Sequence, residues 1–154
     1  MPKESVSRNV SKLEKAARIA ARRAYAPYSR FRVGAAVLAS SGRMYTGCNI
    51  ENASYGLCNC AERTAIFAAI SSGETAISHV VVYTPTSEPS SPCGACRQVI
   101  NEFGPGARVL CICDSPKRID ITLDALLPVA FGPGNLSTVV PGSGRSRRRN
   151  QPPK

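Results

Sequence analysis

Apolar residues recur at alternating steps of three and four near the start of the chain, at Val10, Leu13, Ala17, Ala20 and Ala24. That spacing predicts an amphipathic helix over residues 9–25 with one stripe laid on a core. Arg8, Lys12, Lys15 and Arg22 fall on another face, which reads as solvated, with a contact to a polyanion as the alternative. Pro27 cannot continue a helix, so Ala26-Pro27-Tyr28-Ser29 ends it. The period then changes. Val33 to Leu38 is a short apolar run, followed by Ser40-Ser41-Gly42-Arg43 and an extended stretch to about Cys48, which together predict a hairpin. Asn49 to Asn59 reads as a polar loop leading to a helix that begins near Cys60 and carries Ala65, Ile66, Ala69 and Ile70 to Gly73. Val80 to Tyr83 reads as a buried strand, Pro85 to Pro92 as a loop, and Cys93 to Phe103 as a third helix. Arg108 to Cys113 and Arg118 to Ile121 complete the strands, with a helical turn over Leu123 to Leu127. Strands alternating with helices predict an α/β chain built on a mixed sheet covered on both faces.

Composition narrows the class. A chain of 154 residues suits one domain that buries about two thirds of its unfolded surface. Its apolar runs fall far short of the ~20 residues that span a bilayer, and Met1-Pro2-Lys3-Glu4-Ser5 has no apolar core of the secretory kind, so a cytoplasmic protein is expected. Seven cysteines, an odd number, fit metal binding in a reducing compartment better than a disulfide framework. The net charge of +10 suggests nucleic acid until it is mapped. Residues 1–32 carry nine Lys/Arg against Glu4 and Glu14, residues 142–154 carry five Lys/Arg and no acid, and residues 33–141 carry six basic and eight acidic side chains. The segment with the chemistry is therefore not basic, the opposite of what a polyanionic substrate across the site would need.

That chemistry lies in Cys60-Ala61-Glu62-Arg63 and Pro92-Cys93-Gly94-Ala95-Cys96-Arg97. Cys93 and Cys96 have the spacing that closes two thiolates on one ion, and Cys60 adds a third sulfur. Three protein ligands on Zn²⁺ leave one position open, as a catalytic site does. Thiolates at helix starts are favoured by the dipole and by free N–H groups. Glu62 stands two residues past Cys60, near the open position without being a ligand. The pattern is that of zinc nucleobase deaminases in the three-cysteine form. Zinc brings the pKa of bound water towards ~7. Glu62 would take the water's proton, deliver it to N3 of a cytosine and later protonate the departing amine. Three thiolates blunt the ion's acidity, and hydrogen bonds from Arg63 and Arg97 to the sulfurs would relieve this.

With these motifs, Tyr28-Ser29-Arg30-Phe31-Arg32-Val33-Gly34-Ala35-Ala36, Cys48-Asn49-Ile50-Glu51-Asn52-Ala53 and Leu126-Leu127-Pro128-Val129-Ala130-Phe131-Gly132-Pro133, the chain resembles the homotetrameric cytidine deaminases of free nucleosides. The resemblance runs from about residue 10 to 136. It implies a three-layer α/β fold with a five-stranded sheet, a domain over 1–136, and a basic tail over 137–154 that lacks core-forming residues and is expected to be disordered. It also implies a homotetramer with composite sites, zinc as cofactor, and hydrolysis of cytidine and 2′-deoxycytidine in pyrimidine salvage. In the substrate site it implies Asn49 and Glu51 on the ribose, Phe31 and, from a neighbouring subunit, Phe131 packing against the base or closing the pocket, and Ala61 and Tyr55 as further substrate-binding residues. It supports the role of Arg63, and more loosely that of Arg97. Arg32 departs from the family, where proline often follows the phenylalanine. Three alternatives stay open: a deaminase of a modified cytosine nucleoside, a nucleic-acid cytosine deaminase, and a structural site closed by Cys58, Cys60, Cys93 and Cys96. The tail would suit a nuclear address in a eukaryotic source. Cys111 and Cys113 are expected in the core, and His79 at a strand start.

Overall fold

The structure, a computed structural model, describes residues 3–137, with side chains from residue 9 onward. The first helix, α1 (Lys3–Ala21), begins earlier than expected. It also ends earlier. The N–H groups of Arg22, Arg23 and Ala24 donate to the carbonyls of Ile19, Ala20 and Ala21, tightening the last turn. Tyr25 is then drawn away, donating to Asn49 O while its own carbonyl accepts from Glu51 N.

The strands are β1 (Gly34–Ala39), β2 (Met44–Cys48), β3 (Ile77–Tyr83), β4 (Arg108–Ile112) and β5 (Arg118–Thr122), in the order β2-β1-β3-β4-β5. Only β3 and β4 are parallel, and that pair needs a crossover. α3 (Gly94–Phe103) supplies it, with α2 (Ala61–Ser71) packed beside it. Successive strand residues alternate between two cores. Val37, Val80, Val82, Val109 and Cys111 meet Ala65, Ile66 and Ile100 of α2 and α3, whereas Leu38, Val81, Tyr83, Leu110 and Ile112 meet Leu13, Ala17 and Ala21 of α1. The mixed five-stranded sheet with helices on both faces is thus as expected. Cys111 and Cys113 are buried, and burial pushes the Cys111 thiol up to about 12. His79 is the third residue of β3, beside Ser78 and away from the other chemistry-bearing groups.

Gly47 fixes how closely β2 approaches α2. A Cβ there would lie 2.4 Å from Ala65 N and 2.6 Å from Ala61 O, both backbone atoms. Gly47→Ala must therefore push the start of α2 off the sheet. Overpacking of this kind costs about 1–3 kcal/mol or more, so the melting temperature is expected to fall by roughly 5 °C in a domain of this size. A melting curve that shifts by less than about 1 °C would mean that the two elements separate without cost.

The helical turn expected over Leu123 to Leu127 is α4 (Leu123–Leu126). Two short elements were not expected: a 3₁₀ turn (Tyr55–Leu57) folds the loop after β2, and α5 is Pro133–Leu136. Pro133 opens α5 at a position whose N–H needs no partner, and Gly132 N donates to Asn135 Oδ1 at 2.8 Å. Four residues are too few to show a helical period in sequence. The basic tail after residue 137 lies outside the described residues. No helix among those described is long and apolar enough to cross a membrane.

Candidate functional site

Two helix starts converge on one point. Cys60 caps α2 and Cys93 caps α3, both with extended backbone, and Cys96 sits in the first turn of α3. Their three sulfurs lie within 4.8 Å of one another, and Cys60 Sγ is 3.8 Å from Cys93 Sγ. Zinc–thiolate bonds of ~2.3 Å in tetrahedral array require a sulfur–sulfur edge of about 3.8 Å, so the donor set fits zinc in type, number and spacing. Arg63 Nη2 donates to Cys60 Sγ at 3.5 Å. Arg63 Nε is buried without a partner among the described residues, leaving a donor aimed into the cluster's surroundings. Without metal, the hydrogen bond shared with Cys96, reinforced by Arg63 and Cys93, holds the Cys60 thiol down to about 5. The same bond, together with burial, pushes Cys96 up. Of these two thiols, Cys60 is the one that ionises first.

Glu62 follows in the first turn of α2 and is only 5% exposed. Burial outweighs the hydrogen bond from its own backbone N–H and pushes its carboxyl above the ordinary range. A carboxyl so placed is suited to accept a proton and give it back. Glu62, Ala61, Cys60 and Cys93 line one side of a cavity of about 330 Å³, with Val82 of β3 beneath. Phe31, Asn49 and Glu51 also line it. No Lys or Arg among the described residues lines it.

The far wall is built from two segments that brace each other. Asn49 Oδ1 accepts from Val33 N and Asn49 Nδ2 donates to Phe31 O, both at 2.8 Å. The Glu51 carboxylate accepts from Tyr28 N at 2.9 Å, from Ser29 N at 3.2 Å and from the Ser29 hydroxyl. Those bonds, the Ser29 hydroxyl first, hold the Glu51 carboxyl below its usual range. Ser29 also accepts from Phe31 N at 3.0 Å, so one hydroxyl ties the carboxylate to the aromatic wall. Its position two residues before Phe31 was the available sequence signal for this role, and it was missed. Asn59 and Ser91, which also line the cavity, carried no such signal.

Three expected residues lie elsewhere. Arg97 does not bond a sulfur: its guanidinium donates to Pro92 O at 2.8 Å, Leu126 O at 2.8 Å and Ser91 Oγ at 3.0 Å. Pointing along α3 towards those carbonyls, it fastens the loop before Cys93 instead. Tyr55 is outside the cavity, edge-on to Tyr28 at 5.8 Å and largely exposed. Phe131 is exposed, and only its carbonyl is engaged, by Gln98 Nε2 and Asn101 Nδ2. Cys58 borders the cavity, but its sulfur accepts from Asn52 N at 3.3 Å and is not among the clustered ligands.

Comparison with known proteins points in one direction. Residues 7–113 match the family described as the cytidine and deoxycytidylate deaminase zinc-binding region. A cytidine deaminase of Sporosarcina psychrophila is 48% identical over 130 residues, covering 84% of this chain and 96% of its own. One from Mycobacterium tuberculosis is 47% identical over 113 residues, covering 73% and 82%. The crystal structure of cytidine deaminase from Burkholderia pseudomallei superposes with a TM-score of 0.76 at 46% identity, over 79% of this chain and 98% of the other.

Proposed function

Because the chain belongs to the cytidine deaminase family, a family of zinc-binding hydrolases, we propose that it hydrolyses cytidine and 2′-deoxycytidine to uridine and 2′-deoxyuridine, releasing ammonia, in pyrimidine salvage. The carrying observation is the buried Glu62 beside three sulfurs at zinc spacing, on one wall of a cavity whose other wall holds Asn49 and Glu51.

Cys60, Cys93 and Cys96 hold the zinc, which supplies the acidity that makes water a nucleophile near neutral pH. Glu62 takes the proton from the water that attacks C4, passes it to N3, and protonates the exocyclic amine as it leaves as ammonia. Arg63 draws charge from Cys60. The amide of Ala61, one of those a helix start leaves without an intrahelical acceptor, is available to the base carbonyl. Phe31 packs against the ring. Asn49 and Glu51 bind the ribose hydroxyls, already oriented by their bonds to the 28–33 segment. Phe131 acts from a neighbouring subunit of a homotetramer, a reading supported by an aromatic ring that is exposed within one chain. The folded unit is residues 1–136, in the cytoplasm, with the tail beyond it dispensable for catalysis.

The acidic lining favours an uncharged nucleoside over a nucleotide or polynucleotide, whose phosphates Glu51 and Glu62 would repel. Steady-state assays on cytidine, deoxycytidine, CMP and cytosine, with and without a chelator, test the reading. Cytidine and deoxycytidine are expected to react and the others not, with activity lost to chelation. Glu51→Ala is expected to raise KM at least about tenfold, with kcat less affected, since a lost charged hydrogen bond to the sugar is worth ~1.5–3 kcal/mol. Unchanged cytidine kinetics in that variant would remove the ribose assignment.

A further inference from the structure

A second cavity, of about 370 Å³, lies behind the first. Strand alternation separates them: Val82 lines the first and Tyr83 the second, and likewise Val33 and Arg32 point to opposite sides of the same segment. Three arginines line it, Arg18 and Arg22 from the end of α1 and Arg32 from the 28–33 segment, with Asp114 as its one acid. These are three of the nine Lys/Arg of the first 32 residues.

Much of Arg18 is committed. It stacks on the buried Tyr83 ring with its guanidinium carbon 4.5 Å from the centroid, pairs with Asp114 at 3.3 Å, and donates to Cys113 O at 2.8 Å. Asp114 is committed as well, since Tyr83 Oη donates to it at 2.6 Å. Arg32 uses Nη1 on Arg22 O at 3.2 Å, and that single bond turns its guanidinium back over the helix end. The rest of the Arg32 fork and the whole Arg22 guanidinium meet no acid among the described residues. The result is a concave site with a rigid aromatic floor, one neutralised arginine and two arginines with donors to spare. Planar forks of this kind match the oxygens of a phosphate group.

We propose that this cavity is a binding site for a small phosphate-bearing ligand, its phosphate held by Arg22 and Arg32 beside Arg18. The assignment does not depend on the deaminase reading, because none of these side chains lines the first cavity. Its ligand class is the reverse of the first cavity's, which is acid-lined and fits an uncharged molecule. A polynucleotide is the less favoured occupant, because seven residues make up the lining and one of them is the acid Asp114.

Calorimetric titration of the full chain with inorganic pyrophosphate, which carries no base for the nucleoside cavity, tests the proposal. Saturable binding at one site per chain is expected, weakened at least about tenfold when both arginines are changed, in Arg22→Gln/Arg32→Gln. Lys12→Gln/Lys15→Gln removes the same charge, from residues of α1 that do not line the cavity, and should change affinity by less than about twofold. Asp114→Asn should tighten binding by removing the cavity's acid while keeping an acceptor for Tyr83, a gain that misfolding cannot imitate. Equal weakening by the two double variants would reduce the effect to diffuse charge and overturn the site. So would an absence of saturable binding, or binding of a single-stranded oligonucleotide without binding of pyrophosphate.

Discussion

Glu62→Gln is expected to fold, to retain one zinc per chain and to lose at least about a thousandfold in turnover. The amide keeps the shape of the side chain but can neither take a proton from water nor return one to the leaving amine. General acid–base transfer by one group contributes about 10²–10⁴-fold, and this residue serves several transfers in one cycle. The substitution also replaces a buried carboxyl that burial pushes above its ordinary range. Removing a group that is costly to ionise should not lower stability much, so thermal unfolding should be close to that of the parent chain. The informative comparison is activity against zinc content and melting temperature in the same sample. Retention of a tenth of the parent activity, with zinc present, would remove Glu62 from the proton path.

The ligand geometry was legible because it depends on local backbone. Cys93-Gly94-Ala95-Cys96 opening a helix puts its cap and its first turn on one side, and Cys60 opening α2 does the same from the neighbouring helix. The strands were legible where they are buried on both faces, as Val80 to Tyr83 is. Legibility failed where distant segments meet. Arg97 follows a ligand in sequence, yet its reach is decided by the carbonyls of Pro92 and Leu126, the second of them 29 residues away. Ser29 looked like a turn residue, and its importance rests on Glu51, 22 positions later. The end of α1 was misplaced for the same reason, since nothing near Ala21 announces that Tyr25 will pair with Asn49 and Glu51. Phe131 is a different case: its expected partner belongs to another chain, so its exposure within one chain follows from the expectation that named it, whereas Tyr55, expected at the pocket, lies outside the cavity against Tyr28.

Loss of Cys60, Cys93 or Cys96 should differ sharply from loss of Cys58, and the contrast decides between an open and a closed metal site. Cys58 and Cys60 are two residues apart in extended backbone, so sequence alone permitted both sulfurs to face the same ion. In the structure Cys58 ends the 3₁₀ turn and Asn59 pairs with Ile50, so the chain is fixed to β-bridge geometry before it reaches Cys60. The Cys58 sulfur is occupied with the Asn52 backbone, and the three remaining sulfurs lie within 4.8 Å of one another, Cys60 and Cys93 at 3.8 Å. Cys58→Ser should therefore keep one zinc per chain and most activity, because serine can still accept from Asn52 N. Cys60→Ser, Cys93→Ser and Cys96→Ser each exchange a thiolate for a poor zinc ligand, and should lose zinc, nearly all turnover and thermal stability together, since binding free energy is also folding free energy. Cys96→Ser should be the most damaging to the fold, because its sulfur is fully buried where the others are partly accessible. Zinc content by elemental analysis, read beside melting temperature, separates these outcomes. Zinc loss from Cys58→Ser equal to that from Cys60→Ser would mean four protein sulfurs on the ion, with no position left for water and no route to the hydrolysis of cytidine.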